Sequence, residues 1–582
     1  MSTPPRRIAV VGAGPAGTAL ALGLLHERYD VTLVSDRTGE EIRSGSVMSS
    51  QITFESALEA ETALGISDLL PPAPHIERMA YDTVRLDGSR ASFTAPLGTP
   101  ARSLDQRLRV PLLLDEIERL GGKVVVRSAT VDDLEDLARE HDLVVVSTGR
   151  GGLGALFEVD PGRSPYDSPQ RVASLTYLYG VAPDPQGPAL RYHSVEGVGE
   201  CFTCPALTAG GPCDIFVVEG VPGGPLDCWD DVLGAAEHVA RLEQVLAAFF
   251  PSEAARLGHH RVVDEHSVLS GRITPTVRRP VGVLPDGAHV LGMADVVVLN
   301  DPLTSQGSNN AIKSASFYLE AITAHDGAYD ADWMQRTFEN FWRGWAQWAT
   351  AWTNSWLQPA NEHQRQVVDA AAEHPGVAAQ IAAGVDDARL FSPWWFDAAE
   401  ARAFLDAQAR VEASRFDVRD LRRALGQYAT GVTVVTAQDA GGNRWGMTAN
   451  SFTSVSLNPP LVLWAAAKSS PSLPAFEAAD RFAVNVLASD QHHLSRQFSA
   501  SGTDKFEAVT LVPADQVDHP DAVRPPVLEG TVASFVCRRT ERVDAGDHVV
   551  FFGEIESYDA PGGEPLVFHS GFYRLATKHP DL

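Results

Sequence analysis

The chain has 582 residues, more than a single hydrophobic core organises, so roughly two to four domains are expected. Its 44% hydrophobic and 21% charged residues are ordinary for a soluble globular protein, and a net charge of −28 argues against nucleic acid and against anionic membrane surfaces as partners. Five cysteines in this length make no disulfide framework.

The first seven residues lead straight into a strand, without the apolar segment and cleavage site of a signal peptide. No apolar run approaches the roughly 18 residues of a membrane span, so a cytoplasmic location is expected. Ile8–Val11 reads as a buried strand, Gly12-Ala13-Gly14-Pro15-Ala16-Gly17 as a glycine loop, Thr18–Arg28 as a helix and Val31–Val34 as the next strand. This βαβ unit of about 30 residues is what a dinucleotide-binding fold requires. Gly12 permits the tight turn, Gly14 lets a pyrophosphate approach the backbone, and Gly17 lets helix pack on strand. Pro15 and Ala16 open the helix, whose N-terminal N–H groups and dipole favour phosphate. Asp36, about twenty residues past Gly17, is placed to bond an adenosine ribose; the other reading is that it caps a turn with Arg37.

Leu112–Leu120 reads as a helix, and Lys123–Val126 and Leu143–Val146 as further strands of the same sheet. Between about Val172 and Val283, strand-like runs alternate with Gly/Pro turns, so an antiparallel substrate-side layer is expected. Asp330 to about His374 is helical, with Trp342, Trp345, Trp348, Trp352 and Trp356 recurring every three or four residues and sharing one face. Such a stripe reads as core or inter-domain contact, or else as the lining of a substrate tunnel. Asp397–Glu412 reads as a semi-rigid, alanine-rich linker helix. From Phe416 a new domain begins, and Val432–Thr436, Leu461–Trp464, Phe482–Leu487 and His548–Phe552 predict a β-barrel. The expected layout is one domain over 1–396, a linker over 397–414 and a second domain over 415–582. The halves show no shared repeat and read as a fusion.

Cys201-x-x-Cys204, with Cys213 and Cys228 nearby, lacks the second pair of a zinc site, so no metal is expected. His259-His260 and His492-His493 read as solvated or helix-end residues.

Four segments resemble the styrene monooxygenases, FAD-dependent epoxidases of the hydroxybenzoate-hydroxylase-like fold, over about residues 1–400. These are the glycine loop, Ser103–Leu108, the Ser147-Thr148-Gly149-Arg150 strand end, and Leu291–Asp295 through Asp301–Asn309. The resemblance implies an α/β FAD-binding Rossmann-type domain with an antiparallel substrate layer. It implies that Thr148 and Gly149 belong to the cofactor site and that Arg107 approaches the flavin pyrophosphate. Asp295 would bond the ribitol, and the loop holding Pro302, Gln306, Gly307, Ser308 and Asn309 would cover the isoalloxazine. Two positions depart from the pattern, since Ala294 and Ser305 stand where relatives carry glycine. Val47 and Ser50 stand where relatives often have Arg and Asn. The Asp-Gly motif by which self-sufficient hydroxylases of this fold handle their own reduction is replaced by Thr148-Gly149-Arg150.

Tyr428–Thr436, Gly446–Phe452, Ser454–Leu461 and Phe482–Leu487 resemble the short-chain NAD(P)H:flavin oxidoreductases, split-barrel proteins, over about residues 415–578. Here the resemblance implies that Thr448, Ala449, Asn450 and Ser451 contact flavin, with Asn485 counted among the cofactor residues. Lys468, Ser469 and Ser472 would hold phosphate, and His548 of Gly546-Asp547-His548 would contact the nicotinamide. By residue type alone His548 is equally a surface turn histidine.

Together these expectations give a fused, NADH-consuming flavin monooxygenase in which the second domain makes reduced FAD. The first would use it with O2 on a small apolar aromatic such as styrene or indole; a homodimer is compatible with this. The alternatives are a related aromatic hydroxylase or sulfoxidase, or a flavin reductase joined to a flavin-carrying module.

Overall fold

The computed structural model describes residues 5–148, 152–232, 234–412, 418–439, 441–500, 505–513 and 524–576. The chain divides into two compact units, Met1–Ala413 and Ser414–Leu582. Among the described residues no helix is long and apolar enough to cross a membrane.

The first unit has two sheets. One runs in the order Val281–Val283, His289–Gly292, Leu143–Val146, Arg7–Val11, Asp30–Ser35, Lys123–Val126, parallel throughout except for the first pair. Its central strands are apolar without alternation, as strands covered on both faces are. The helix Pro15–His26 buries Ala16 through Leu24. It lies against the helix Gly307–Thr323, with Gly23 leaving room for Leu319.

The second sheet has nine strands and is antiparallel apart from the pairing of His75–Val84 with Ala189–Val195. Residues 90–98 alternate exposed and buried positions, an unread period-2 signal that places Ala91, Phe93, Ala95 and Leu97 in the core. One expectation is borne out with an insertion and one changes. The stretch from Val172 to Val283 is mostly antiparallel strand, with the 15-residue helix Ala235–Phe249 set within it. The helix expected from Leu112 begins at Gln106, since the Asp105 side chain caps it by accepting from Arg107 N at 2.8 Å. Pro111 is tolerated inside it. Cys201 and Cys204, three apart on one strand, fall on opposite faces and pack in different cores, so they cannot share a ligand.

The tryptophan stripe does not keep one face. Ala331–Phe341 runs through a π-turn, Trp342–Ala346, into Gln347–Trp356. One extra residue in the turn rotates the second helix by about 100° relative to the first. Trp342 and Trp345 therefore pack in the core of the parallel sheet, and Trp348, Trp352 and Trp356 in that of the nine-stranded sheet. The expected linker is also corrected. Ala398–Glu412 is helical but docked, with Ala401 buried and the Phe404 ring stacked on Trp394 at 4.4 Å and 11°.

The second unit is a seven-stranded antiparallel sheet in the order Arg444–Ala449, Thr433–Gln438, Arg481–Val486, Ala533–Ala545, His548–Asp559, Pro460–Ala467, Thr453–Leu457. Laid flat, its outer strands would stand about 29 Å apart at about 4.8 Å per step. Only Asn450, Ser451 and Phe452 join those two strands in the chain. Four Cα steps span at most about 14 Å, so the sheet curls round on itself.

Candidate functional site

In the first unit a solvent-open cleft of about 650 Å³ lies at the carboxyl ends of the parallel strands. That is where open α/β sheets bind ligands. Gly12, Gly14, Pro15, Ala16, Asp36, Thr148, Asp295, Gly307 and Ser308 all line it. The three glycines of the loop have different surroundings. Gly12 has φ +120°, a left-handed conformation that favours glycine. A Cβ on Gly17 would lie 1.9 Å from Gly12 O, so that position holds helix to loop. A Cβ on Gly14 would meet nothing within 4 Å and would stand in open cleft. Gly12 and Gly17 are thus required by the fold, whereas Gly14 faces the open space of the cleft. Asp36 lines the cleft and pairs with Arg37 at 3.5 Å, while its side chain stays 67% exposed.

Other expected residues lie elsewhere. Arg107 is buried and does not line the cleft: its guanidinium is committed to Asp105 at 2.8 Å, Asp264 at 3.0 Å and Ser267 at 3.1 Å. The neighbouring Gln106 lines the cleft instead, held by Ser49 Oγ at 2.8 Å. Asn309 is fully buried and structural, accepting from Phe54 N and donating to Ile52 O and Ser305 O, each at 3.0 Å. Gln306, also fully buried, donates to Val385 O at 2.8 Å. Pro302 starts a short turn and lines neither the cleft nor the apolar cavity beside it. Gly149 lies outside the described residues. Arg37 and Arg127 were not foreseen as cleft residues; the signal for Arg127 is its place just past Lys123–Val126, at a carboxyl strand end.

The segment Asp301–Ser308 is a partition. Its Gly307 and Ser308 line the cleft, while Leu303, Thr304 and Ser305 line a narrow apolar cavity closed by Met79, Tyr192, Trp352 and Trp356. Both positions that depart from glycine adopt left-handed backbone, Ala294 at φ +56° and Ser305 at φ +57°.

In the second unit, Ala467 pairs with His548, and Lys468 N donates to Asp547 O at 2.9 Å, so Lys468 and His548 sit together at one end of the sheet. Lys468 also pairs with Asp544 at 3.1 Å. His548 is half-exposed; its Nδ1 meets Asp547 Oδ1 at 2.8 Å and holds that carboxyl below its usual range. Ser469 is exposed beside Lys468, and Ser472 is buried at the start of a short helix. Asn450 is exposed at the joint between the outer strands. Thr448 donates to Ser495 O at 2.6 Å, and Ser451 Oγ accepts from Ala465 N at 2.9 Å, so these hydroxyls serve the barrel. Ala449 is buried and pairs with Thr433. Asn485 is not a cofactor contact: fully buried, it donates to Val434 O at 3.0 Å and accepts from Leu528 N at 2.9 Å.

A flavin reductase-like domain model matches residues 425–576, and a styrene monooxygenase A substrate-binding domain model matches residues 149–256. Styrene monooxygenase StyA of Pseudomonas fluorescens is 29% identical over 355 residues, 60% of this chain and 84% of its own length. FMN reductase (NADH) SmoA of Agrobacterium fabrum is 46% identical over 155 residues, 27% of this chain and 84% of its own. The solved NADH:FAD oxidoreductase SgcE6 of Streptomyces globisporus, in complex with NAD and FAD fragments, is 36% identical over 29% of this chain and 99% of its own, with a TM-score of 0.26.

Proposed function

We propose, from a chain that belongs to the flavin reductase family over residues 425–576 and is styrene monooxygenase StyA-like over its first unit, that both halves serve one oxygenation reaction. The enzyme is a styrene monooxygenase-like oxygenase joined to an NADH flavin reductase domain. Our finer reading is that the second unit takes hydride from NADH to reduce FAD. The first uses the reduced flavin and O2 to epoxidise a small aromatic alkene such as styrene, or to oxidise indole.

The observation that carries this reading is the open space at Gly14 in the cleft. Its surroundings fit a Rossmann-type dinucleotide site: a buried helix presents its N-terminus there, the Asp36 carboxylate on the same cleft can accept from a ribose hydroxyl, and Gly307 and Ser308 open a second helix on it. Bound reduced flavin would supply the electrons that activate oxygen. The chain's own part is to bind, orient and exclude water. The Leu303–Ser305 turn and the Trp352–Trp356 face line a narrow apolar cavity beside the cleft, whose walls suit an uncharged aromatic once they part to admit it. In the second unit we read Lys468 as the cation for a phosphate and His548, at the same end of the sheet, as the contact to the nicotinamide. No general acid or base is needed for hydride transfer between aligned rings.

The test is an assay of the whole chain with NADH, FAD and styrene in air, with catalase present. Styrene oxide is the expected product, and a blue pigment the expected sign with indole. NADH oxidation that yields only hydrogen peroxide would refute the oxygenase reading and leave a reductase with a flavin-carrying module. Gly14→Val, which the fold has room for, should abolish product and leave NADH oxidation within about twofold of the parent.

A further inference from the structure

A cluster of buried acids lies where the partition between cleft and cavity begins. Glu219 and Glu200 stand directly opposite each other on adjacent antiparallel strands, and so on one face of the sheet. Glu200 is spoken for: Arg171 grips it with Nε at 2.8 Å and Nη2 at 3.0 Å. Glu219 is 0% exposed, no N–H or O–H donor reaches either of its oxygens, and the carboxyl group it meets is that of Asp301. Asp301, 1% exposed, opens the partition and accepts from Leu303 N at 3.1 Å. Three carboxyl groups thus share one guanidinium, itself committed to Glu200.

Two carboxylates cannot both ionise at contact in so dry a place. The Leu303 N–H favours charge on Asp301, whereas nothing donates to Glu219, so the shared proton belongs on Glu219. Burial and the neighbouring acids push Glu219 well above the usual carboxylate range, and burial raises Asp301 as well. The titratable groups facing the pair are Glu200, Arg171 and Tyr192, the last a wall of the apolar cavity.

We propose that Glu219 is a positioning residue of the oxygenase site: it keeps a proton at neutral pH, donates it to Asp301, and so clasps the Asp301–Ser308 partition to the sheet. Ionisation of Glu219 sets two like charges against each other and loosens the turn that walls both cleft and cavity. The clasp's role in turnover rests on the oxygenase reading; its proton does not.

The test compares the full-length parent with Glu219→Gln, whose amide N–H can still donate to Asp301 but cannot ionise. A carboxyl raised in the folded state binds its proton more tightly there than in the unfolded chain. Its contribution is therefore present at low pH and is lost as pH rises toward the folded value. The thermal midpoint of Glu219→Gln relative to the parent should consequently climb between about pH 5 and pH 9. Product formed per NADH should fall about threefold or more in the parent as pH is raised above neutral to the limit at which the fold persists, and hold level in the variant relative to its own neutral value. NADH oxidation by the second unit, measured alongside, should follow the same pH profile in both proteins. Asp301→Asn removes the neighbouring charge but leaves Glu219 buried and ionisable, so, used if Glu219→Gln does not accumulate folded, it should show the same two trends relative to the parent at smaller amplitude; no trend in either would overturn the clasp. A midpoint difference that does not change with pH overturns the proton on Glu219. An equal alkaline fall in parent and variant overturns the clasp. If the parent makes no product at any pH while the midpoint difference still climbs, the oxygenase reading fails and the proton assignment stands.

Discussion

Ala294 and Ser305 carry side chains where the backbone is left-handed, at φ +56° and +57°. That conformation costs an L-residue about 1–2 kcal/mol, whereas glycine adopts it freely and gives back about 0.5–1 kcal/mol in chain entropy. Ala294→Gly and Ser305→Gly should therefore each stabilise the first unit by about 0.5–1 kcal/mol, read as a shift in its denaturant midpoint. A loss of stability at either site would mean that its side chain makes a contact worth more than the backbone strain. The sequence marked both positions as departures from glycine, but the sign of φ belongs to the folded chain. The same limit explains Arg107, Asn309 and Asn485. Residue type says what a side chain can bond, not which neighbour reaches it first. Asp264, some 150 residues beyond Arg107, and Phe54, some 250 before Asn309, take up those groups through contacts that no local pattern announces. Gly12, Gly14, Asp36 and Asp295 were legible because a short motif ties their spacing to the end of one strand or turn.

At the scale of elements, period told more than composition. The unbroken apolar runs of the parallel strands were readable, and so was the helical recurrence of the tryptophans. What hid was phase: the π-turn at Trp342–Ala346 divides the stripe between two cores although the spacing in sequence looks continuous. The Ala398–Glu412 helix hid for another reason. Its composition is that of a freestanding spacer, and only Ala401, Phe404 and Leu405 give it a face to dock. Phe404→Ala should lower the stability of the first unit by about 1–2 kcal/mol, less than a fully buried phenylalanine because this ring is partly exposed. It should also speed amide exchange across that helix. An unchanged midpoint with unchanged exchange would return the helix to the role of a spacer.

For the whole molecule, the two units are separable catalysts in this reading, and that can be measured. His548→Ala should slow NADH oxidation by about tenfold, since only the alignment of the donor is lost. Supplying chemically reduced FAD should restore product to the parent level; failure of that rescue would mean that the first unit depends on more than the electrons the second delivers. The curled sheet of the second unit was foreseen from its strand runs. The nine-stranded sheet of the first was only half foreseen, because its early strands alternate too quietly to stand out. The tryptophan cluster of that unit has an optical meaning. Trp356 stacks on Trp395 at 5.6 Å and 11°, Trp395 meets Trp394 at 6.1 Å edge to face, and Trp394 stacks on Phe404. Ring transitions held this close and this rigidly exchange excitation and give strong near-ultraviolet circular dichroism, which disappears when fixed packing does. With Trp356 at the wall of the apolar cavity, the enzyme carries its own chromophore for the arrival of a guest, readable without label or turnover.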